Sequence, residues 1–343
     1  MARKKHSAVP DLLADPFGER STRMTREPLQ LLGGRFRFES NSAELLRLVD
    51  SAYAGLPRHR LSAAVPRLRV GLLLSGQPRP RRRLEPSPLN VLSAAAFLGG
   101  ATDSSDFVVV SPRERAALVV VSPKMLRFPY HTRYELIEFA VFTLAARTQG
   151  LVSLHAACVG QGGRGILLMG SSGAGKSTVA LQCLLQGLDF LSEDAVFVAP
   201  DTLRATGIAN FLHVRADSLR WIERDTDAAP IRNSPVIRRR TGVKKFELDL
   251  RRGCYRLAAS PLRIGAVVFL SAQKSQNGPL LRPLRKSTLL AKLTNAQAYA
   301  AGQPEWATFA GRLSDLGGFE LRRGRHPLEA VEALRSLLVR PTR

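Results

Sequence analysis

No run of apolar residues in these 343 positions reaches the length of about eighteen that a membrane-spanning helix requires, so no span is predicted. The basic start, Met1 to His6, meets Asp11, Asp15 and Glu19 rather than an apolar segment, which argues against a secretory leader. Cysteine is scarce: Cys158, Cys183 and Cys254 are odd in number, widely spaced and free of any Cys-x-x-Cys. That excludes a disulfide framework and points to reduced thiols in a cytoplasmic protein. The six histidines are scattered, with no His-x-x-x-His pair, so no zinc or haem site is read. Acidic residues are few, 28 against 51 basic ones, which leaves a formal charge of +23. Such an excess attracts nucleic acid, anionic lipid or acidic partners. Arginine supplies most of it, and the clusters Arg79–Arg83 and Arg238–Arg240 carry no interleaved aromatics on which bases would stack. An acidic or phosphorylated partner fits better than nucleic acid, and no membrane partner is read.

What remains is a globular composition, 45% hydrophobic, long enough for one large domain or two ordinary ones. Residues 1–30 are polar, contain Pro10, Pro16 and Pro28, and read as a loose arm. Residues 31–148 read as an α/β domain of unknown role: Phe36 and Phe38 in a strand, a helix over Ala43–Tyr53 capped by Ser42, and a strand over Leu68–Leu74. Gly76–Pro88 reads as a loop, Phe107–Val110 and Ala117–Val121 as a hairpin, and Tyr134–Ala146 as a helix. Residues 149–343 carry the chemistry. Leu151–Val159 reads as one strand, Gly160–Arg164 as a turn and Gly165–Met169 as a second strand. A helix follows from about Lys176 to Gln186, stopped by Gly187. Asp189–Leu191 and Ala195–Val198 read as short strands, with Ile264–Leu270 a buried strand and Leu328–Val339 a terminal helix.

Between the second strand and its helix lies Gly170-Ser171-Ser172-Gly173-Ala174-Gly175-Lys176-Ser177, which fits G-x-x-x-x-G-K-[ST] at every fixed position. Glycines let the backbone curl so that several N–H groups face one concavity, and the following helix adds its positive end. Such a loop, with Thr178 after it, suits the polyphosphate of ATP. Lys176 is placed to reach the β- and γ-phosphates, and the Ser177 hydroxyl is a hard ligand for Mg²⁺.

Phosphoryl transfer also needs an acid to help hold Mg²⁺ and often one to accept a proton. Glu193 and Asp194 follow the loop closely and lie between two short β runs, so a hairpin edge would bring them to the γ-phosphate. A solvent-facing acidic turn is the bland alternative. His155, in the strand before the loop, is either a packed strand histidine or a group that orients a carboxylate or touches phosphate.

The segment from His155 to Val198 resembles the catalytic domain of the HPr kinase/phosphorylase family. It has a histidine in a strand, a Gly-containing turn, an apolar strand, Gly-x-Ser-Gly-x-Gly-Lys-Ser, a helix ending in glycine, a short strand and an acidic pair. Weaker similarity continues through Pro261–Leu270 and Gly318–Leu338. The resemblance implies an α/β fold with a C-terminal P-loop kinase domain of the HPr kinase type behind a smaller N-terminal α/β domain. It makes Asp194 the base toward an acceptor hydroxyl, His155 its tuner and Glu193 the metal assistant, where the bacterial HPr enzymes have aspartate. It also implies assembly into homo-oligomeric rings. The family's glycine- and arginine-containing signature has no clean match: Gly207–Phe211 comes nearest and lacks its glutamate. HPr as substrate and a reverse phosphorylase reaction are therefore not implied. The expected activity is an ATP-dependent kinase acting on a serine-type hydroxyl of a protein, peptide or small molecule.

Two other readings stay open. One is a small-molecule kinase of the shikimate or nucleoside-monophosphate type, although those carry the loop near the N-terminus. The other is a regulatory nucleotide-binding ATPase or assembly factor. Lys244 and Lys245, before the strand-like Phe246–Leu250, are weak candidates for the nucleotide or transferred phosphate, and Arg238–Arg240 are weaker.

Overall fold

A computed structural model describes residues 24–76, 85–94, 96–171, 173–275 and 278–339. Ser172 of the glycine loop, the basic cluster Arg79–Arg83 and the first 23 residues of the expected arm lie outside the described residues.

Alternation builds the first sheet. In Gly34–Ser40, Phe36 and Phe38 point inward while Arg35 and Arg37 point to solvent, the period-two pattern of a half-buried strand. Gly34–Ser40, Arg67–Leu74 and Ala116–Val121 pair in parallel. Phe107–Ser111, Phe97–Ala101 and Asn90–Ala94 extend the sheet by antiparallel hairpins. The expected loose arm is corrected in its described part: Met24–Thr25 and Leu29–Leu31 both pair with Gly34–Ser40. Helix Ala43–Tyr53 packs on the Phe36–Phe38 side, with Leu45, Val49 and Tyr53 buried. Ser42 stands at its N-cap, but its side chain makes no capping bond.

The expected helix Tyr134–Ala146 starts earlier and is not uniform. It runs from Pro129–His131 through a π-helical stretch, Thr132–Ile137, into Glu138–Gln149, and ends at Gly150 with φ 60°. A π stretch often marks a functional site. Here it carries Arg133 and Tyr134 toward the second half of the molecule.

The second sheet is built around Leu262–Lys274, which pairs in parallel with Arg164–Met169 on one side and Gly318–Arg323 on the other. Two sequence expectations are corrected here. The strand expected over Leu151–Val159 is two strands, Val152–Leu154 and Ala157–Gln161, broken at His155-Ala156. The expected hairpin around Glu193-Asp194 does not form: Asp189–Ser192 pairs with Ala157–Gln161, and Val196–Val198 pairs with Val152–Leu154. The two lines run antiparallel, and both are interrupted at the same level. A ladder that breaks on both sides at once frees His155-Ala156 and Glu193–Ala195 from strand pairing. Arg204–Gly207 joins Val196–Val198 to Leu262–Lys274, so the pairings close into a ring.

Gly207 is held to glycine by a close approach. A Cβ there would lie 2.6 Å from Ser192 Cβ and 2.9 Å from the Leu191 carbonyl. A three-stranded sheet, Phe211–Val214, Lys244–Asp249 and Val236–Arg238, lies beyond. Among the described residues no helix is long and apolar enough to cross a membrane. The architecture is mixed α/β.

Candidate functional site

The glycine loop leaves the C-terminal end of Arg164–Met169, a buried strand with a parallel neighbour, where open α/β sheets form their ligand crevices. Gly173 and Gly175 adopt φ 80° and 100°, the left-handed region that a side chain disfavours. Helix Lys176–Leu185 starts at once, with Val179, Ala180, Leu181, Cys183 and Leu184 buried. It ends at Gly187 as the sequence predicts: the Gly187 amide donates to Leu184 O and the Leu188 amide to Cys183 O, a Schellman closure. The helix N-terminus therefore stands rigidly behind the loop.

Lys176 is buried, and its Nζ donates to Gly170 O at 2.7 Å. Burial pulls its pKa down, against the opposing fields of Asp194 and Glu193. Ser171 is exposed, Ala174 is buried, and Arg323 Nη2 reaches Gly173 O at 3.4 Å. The Thr178 hydroxyl lies 3.0 Å from that of Ser218, so the structure ties this side chain to the short helix Ala216–Trp221.

Glu193 meets the loop directly. The Ser177 hydroxyl donates to its Oε1 at 2.5 Å. Its Oε2 accepts the His213 amide at 2.8 Å and faces His213 Nδ1 at 3.2 Å. The carboxylate is only 3% exposed, so these bonds must offset a desolvation cost of several kcal/mol. The bland alternative of a solvent-facing acidic turn therefore fails for Glu193.

The network goes on inward. His213 and Glu247 are cross-strand partners, and the Tyr134 hydroxyl donates to Glu247 Oε1 at 3.0 Å. The same hydroxyl oxygen lies 3.0 Å from His213 Nε2. His213 thus sits between two carboxylates, Glu193 at Nδ1 and Glu247 3.6 Å from Nε2, which favour its protonated form. Burial lowers the His213 pKa, but its interactions with the Glu193 and Glu247 carboxylates outweigh it and the net shift is upward. Arg133 closes the chain on Glu247, giving alternating charges Glu193, His213, Glu247, Arg133. Glu138 beside them is pushed up to about 8 by burial, against the attraction of Arg133. Arg133, Tyr134 and Glu138 all come from the helix on the first sheet.

Asp194, next in sequence, is half-buried and ion-paired to Arg239 at 3.1 Å. Burial alone would raise its pKa, but the Arg239 guanidinium outweighs it and holds the carboxyl below its usual range. Arg239 sits at the turn between Val236–Arg238 and Lys244–Asp249, and its neighbour Arg240 anchors that turn to Glu135 and to the carbonyls of Pro86 and Ser87. Lys245 is half-buried, its pKa lowered by burial against the fields of Glu193 and Asp194.

His155 is not within a strand as expected. It occupies the ladder break with its side chain exposed, and its backbone is clamped by the buried Gln297: the His155 amide donates to Oε1 at 2.8 Å and its carbonyl accepts from Nε2 at 3.0 Å. Its imidazole makes no described hydrogen bond to Asp194 and acts on it through charge.

Sequence reasoning missed His213, Glu247, Arg133, Tyr134, Gln297 and Arg323. A faint signal existed: a histidine interrupts the apolar run Phe211-Leu212-His213-Val214, and a glutamate interrupts Phe246-Glu247-Leu248.

Oxygen donors dominate where a cation would sit. Glu193, Asp194 and His213 offer ligand atoms within 4.8 Å of one another. His213 already faces Glu193 through Nδ1 and Tyr134 through Nε2, which leaves the oxygen donors Ser177, Glu193 and Asp194. That all-oxygen set fits a hard cation such as Mg²⁺.

No family model matches the chain, and no curated protein matches it. Among solved structures it is similar to that of the Hpr(Ser) kinase/phosphatase from Coxiella burnetii. The two share 12% identity at a TM-score of 0.28, over 54% of this chain and 94% of that one. At that level the functional reading rests on the site's own geometry.

Proposed function

We propose that the chain is an ATP-dependent phosphotransferase that passes the γ-phosphoryl group to a hydroxyl on a protein, peptide or small molecule. One observation carries this reading: a glycine loop on a helix N-terminus, Lys176, and the Ser177–Glu193–Asp194 cluster converge at the C-terminal end of one buried strand. In this reading the loop amides of residues 170–178 bind the phosphates. Lys176 releases Gly170 O and neutralises charge on the β- and γ-phosphates. Ser177 and Glu193 would hold Mg²⁺, which when bound supplies further neutralisation of the transferring group.

Asp194 is kept ionised by Arg239 and accepts the proton of the acceptor hydroxyl. The hydroxyl oxygen forms a bond to the γ-phosphorus as the bond to the β-phosphate oxygen breaks, and ADP leaves. His155 adds positive potential beside Asp194. The resemblance to HPr kinases in the loop and acidic pair supports a kinase of that kind with a different acceptor. The test is incubation of the chain with γ-labelled ATP, Mg²⁺ and host-cell extract. A new labelled species supports the proposal. Nucleotide binding with hydrolysis alone, and no labelled acceptor, sinks it in favour of a regulatory ATPase.

A further inference from the structure

One face of the first sheet is largely open among the described residues, although Val120 on it is buried. The helices Ala43–Tyr53 and Glu138–Gln149 pack against the side carrying Phe36 and Phe38, and no described element covers the other. Strand register lines up what lies there. Gly71, Leu118, Val109, Gly99 and Leu92 form one row across five strands. Leu73 and Phe97 stand on the same face by strand alternation. Leu92 is 65% exposed, Phe97 52% and Leu118 42%, so this is a contiguous apolar surface rather than scattered single residues.

The same face turns basic at its other side. Arg35 stands directly beside Arg67, and Arg37 beside Arg69, on parallel neighbours about 4.8 Å apart. Like charges placed so are destabilising. Arg37 is relieved by Glu39 at 3.0 Å. The side chains of Arg35, Arg67 and Arg69 have no ion pair or hydrogen bond among the described residues. An apolar half and an unneutralised basic half on one flat face call for a ligand with both complements.

We propose that this face docks an acidic polypeptide segment that also presents apolar side chains. The chain's own candidates have the wrong charge. Residues 1–23 hold five basic and three acidic residues, residues 77–84 hold four arginines and no acid, and a second copy carries +23. Nucleic acid would satisfy the arginines and leave the apolar half unmet. The inference is independent of the phosphotransferase reading, because it needs neither nucleotide nor acceptor.

The test uses the full chain and three fluorescein-labelled probes: an amphipathic Glu/Leu helical peptide, a Glu-only peptide of equal charge, and a single-stranded oligonucleotide. The Glu/Leu peptide should bind best. Arg69→Glu and Leu118→Thr should each weaken it by about tenfold or more, while Arg312→Glu, exposed on helix Trp306–Leu316, should change it by less than about twofold. Thermal melting of each variant separates lost docking from lost fold, since every substituted side chain is exposed. Binding equal to that of the Glu-only peptide, indifference to Leu118→Thr, or tighter binding of the oligonucleotide would each overturn the proposal.

Discussion

The Ser177 hydroxyl and the Glu193 carboxylate lie 2.5 Å apart, one at the first turn of the loop helix and the other in the break of an antiparallel ladder. The pair joins the phosphate loop to the rest of the molecule. If it holds Mg²⁺, Glu193→Gln should leave nucleotide binding in the absence of Mg²⁺ nearly unchanged. The gain in affinity that Mg²⁺ brings should fall by about tenfold or more. Titration of a fluorescent ATP analogue with and without Mg²⁺ measures this, and an undiminished gain would remove Glu193 from the metal's ligands.

Arg133 is the only guanidinium bonded to the buried Glu247 carboxylate among the described residues. Arg133→Met should cost up to about 3 kcal/mol of stability, because the buried Glu247 carboxylate then keeps only His213, 3.6 Å away, as counter-charge. Tyr134→Phe removes one neutral donor and should cost about 1 kcal/mol. Urea denaturation of both variants gives the ratio, and equal small losses would mean that the network is wet.

The same cluster gives stability a definite pH slope. Glu138 titrates at about 8 in the folded state against 4.5 for a free side chain, and His213 is also raised. Both make the folded chain bind more protons than the unfolded one, so stability falls as pH rises. The Glu138 contribution is complete below about 4.5 and is lost progressively up to about 8. The His213 contribution is present below its unfolded value of 6.5 and is lost as pH rises through its higher folded value. Melting temperatures of wild type and Glu138→Gln should lie closest at the lower end of this window and diverge toward its upper end, the variant showing the flatter fall; parallel curves would mean that Glu138 does not titrate there.

Arg239 holds the Asp194 carboxyl below its ordinary range. Arg239→Gln should let that pKa rise, moving the acidic limb of a turnover profile to higher pH. A limb that stays in place would mean that Asp194 is not the group whose ionisation limits the rate.

Much of this was readable because it is local. The glycine loop is contiguous, its preceding strand is an unbroken apolar run, and its helix stops at a glycine whose closure depends on five neighbouring residues. The acidic pair was found by nearness to the loop, but its setting was not. Whether 189–192 and 196–198 pair with each other or with 152–161 depends on contacts 29 to 46 residues apart, which short apolar runs do not encode. His213 and Glu247 were missed for the same reason, since their meaning comes from facing each other across two strands. Arg133 and Tyr134 were further hidden by a π turn, which breaks the 3.6-residue period used to assign faces.

The most direct test of the central claim is a paired measurement on wild type and Asp194→Asn. Nucleotide affinity and γ-phosphoryl transfer are read on the same preparations. The account predicts unchanged ATP affinity with transfer reduced by about 10²-fold or more. Full transfer by Asp194→Asn would contradict the assignment of the base.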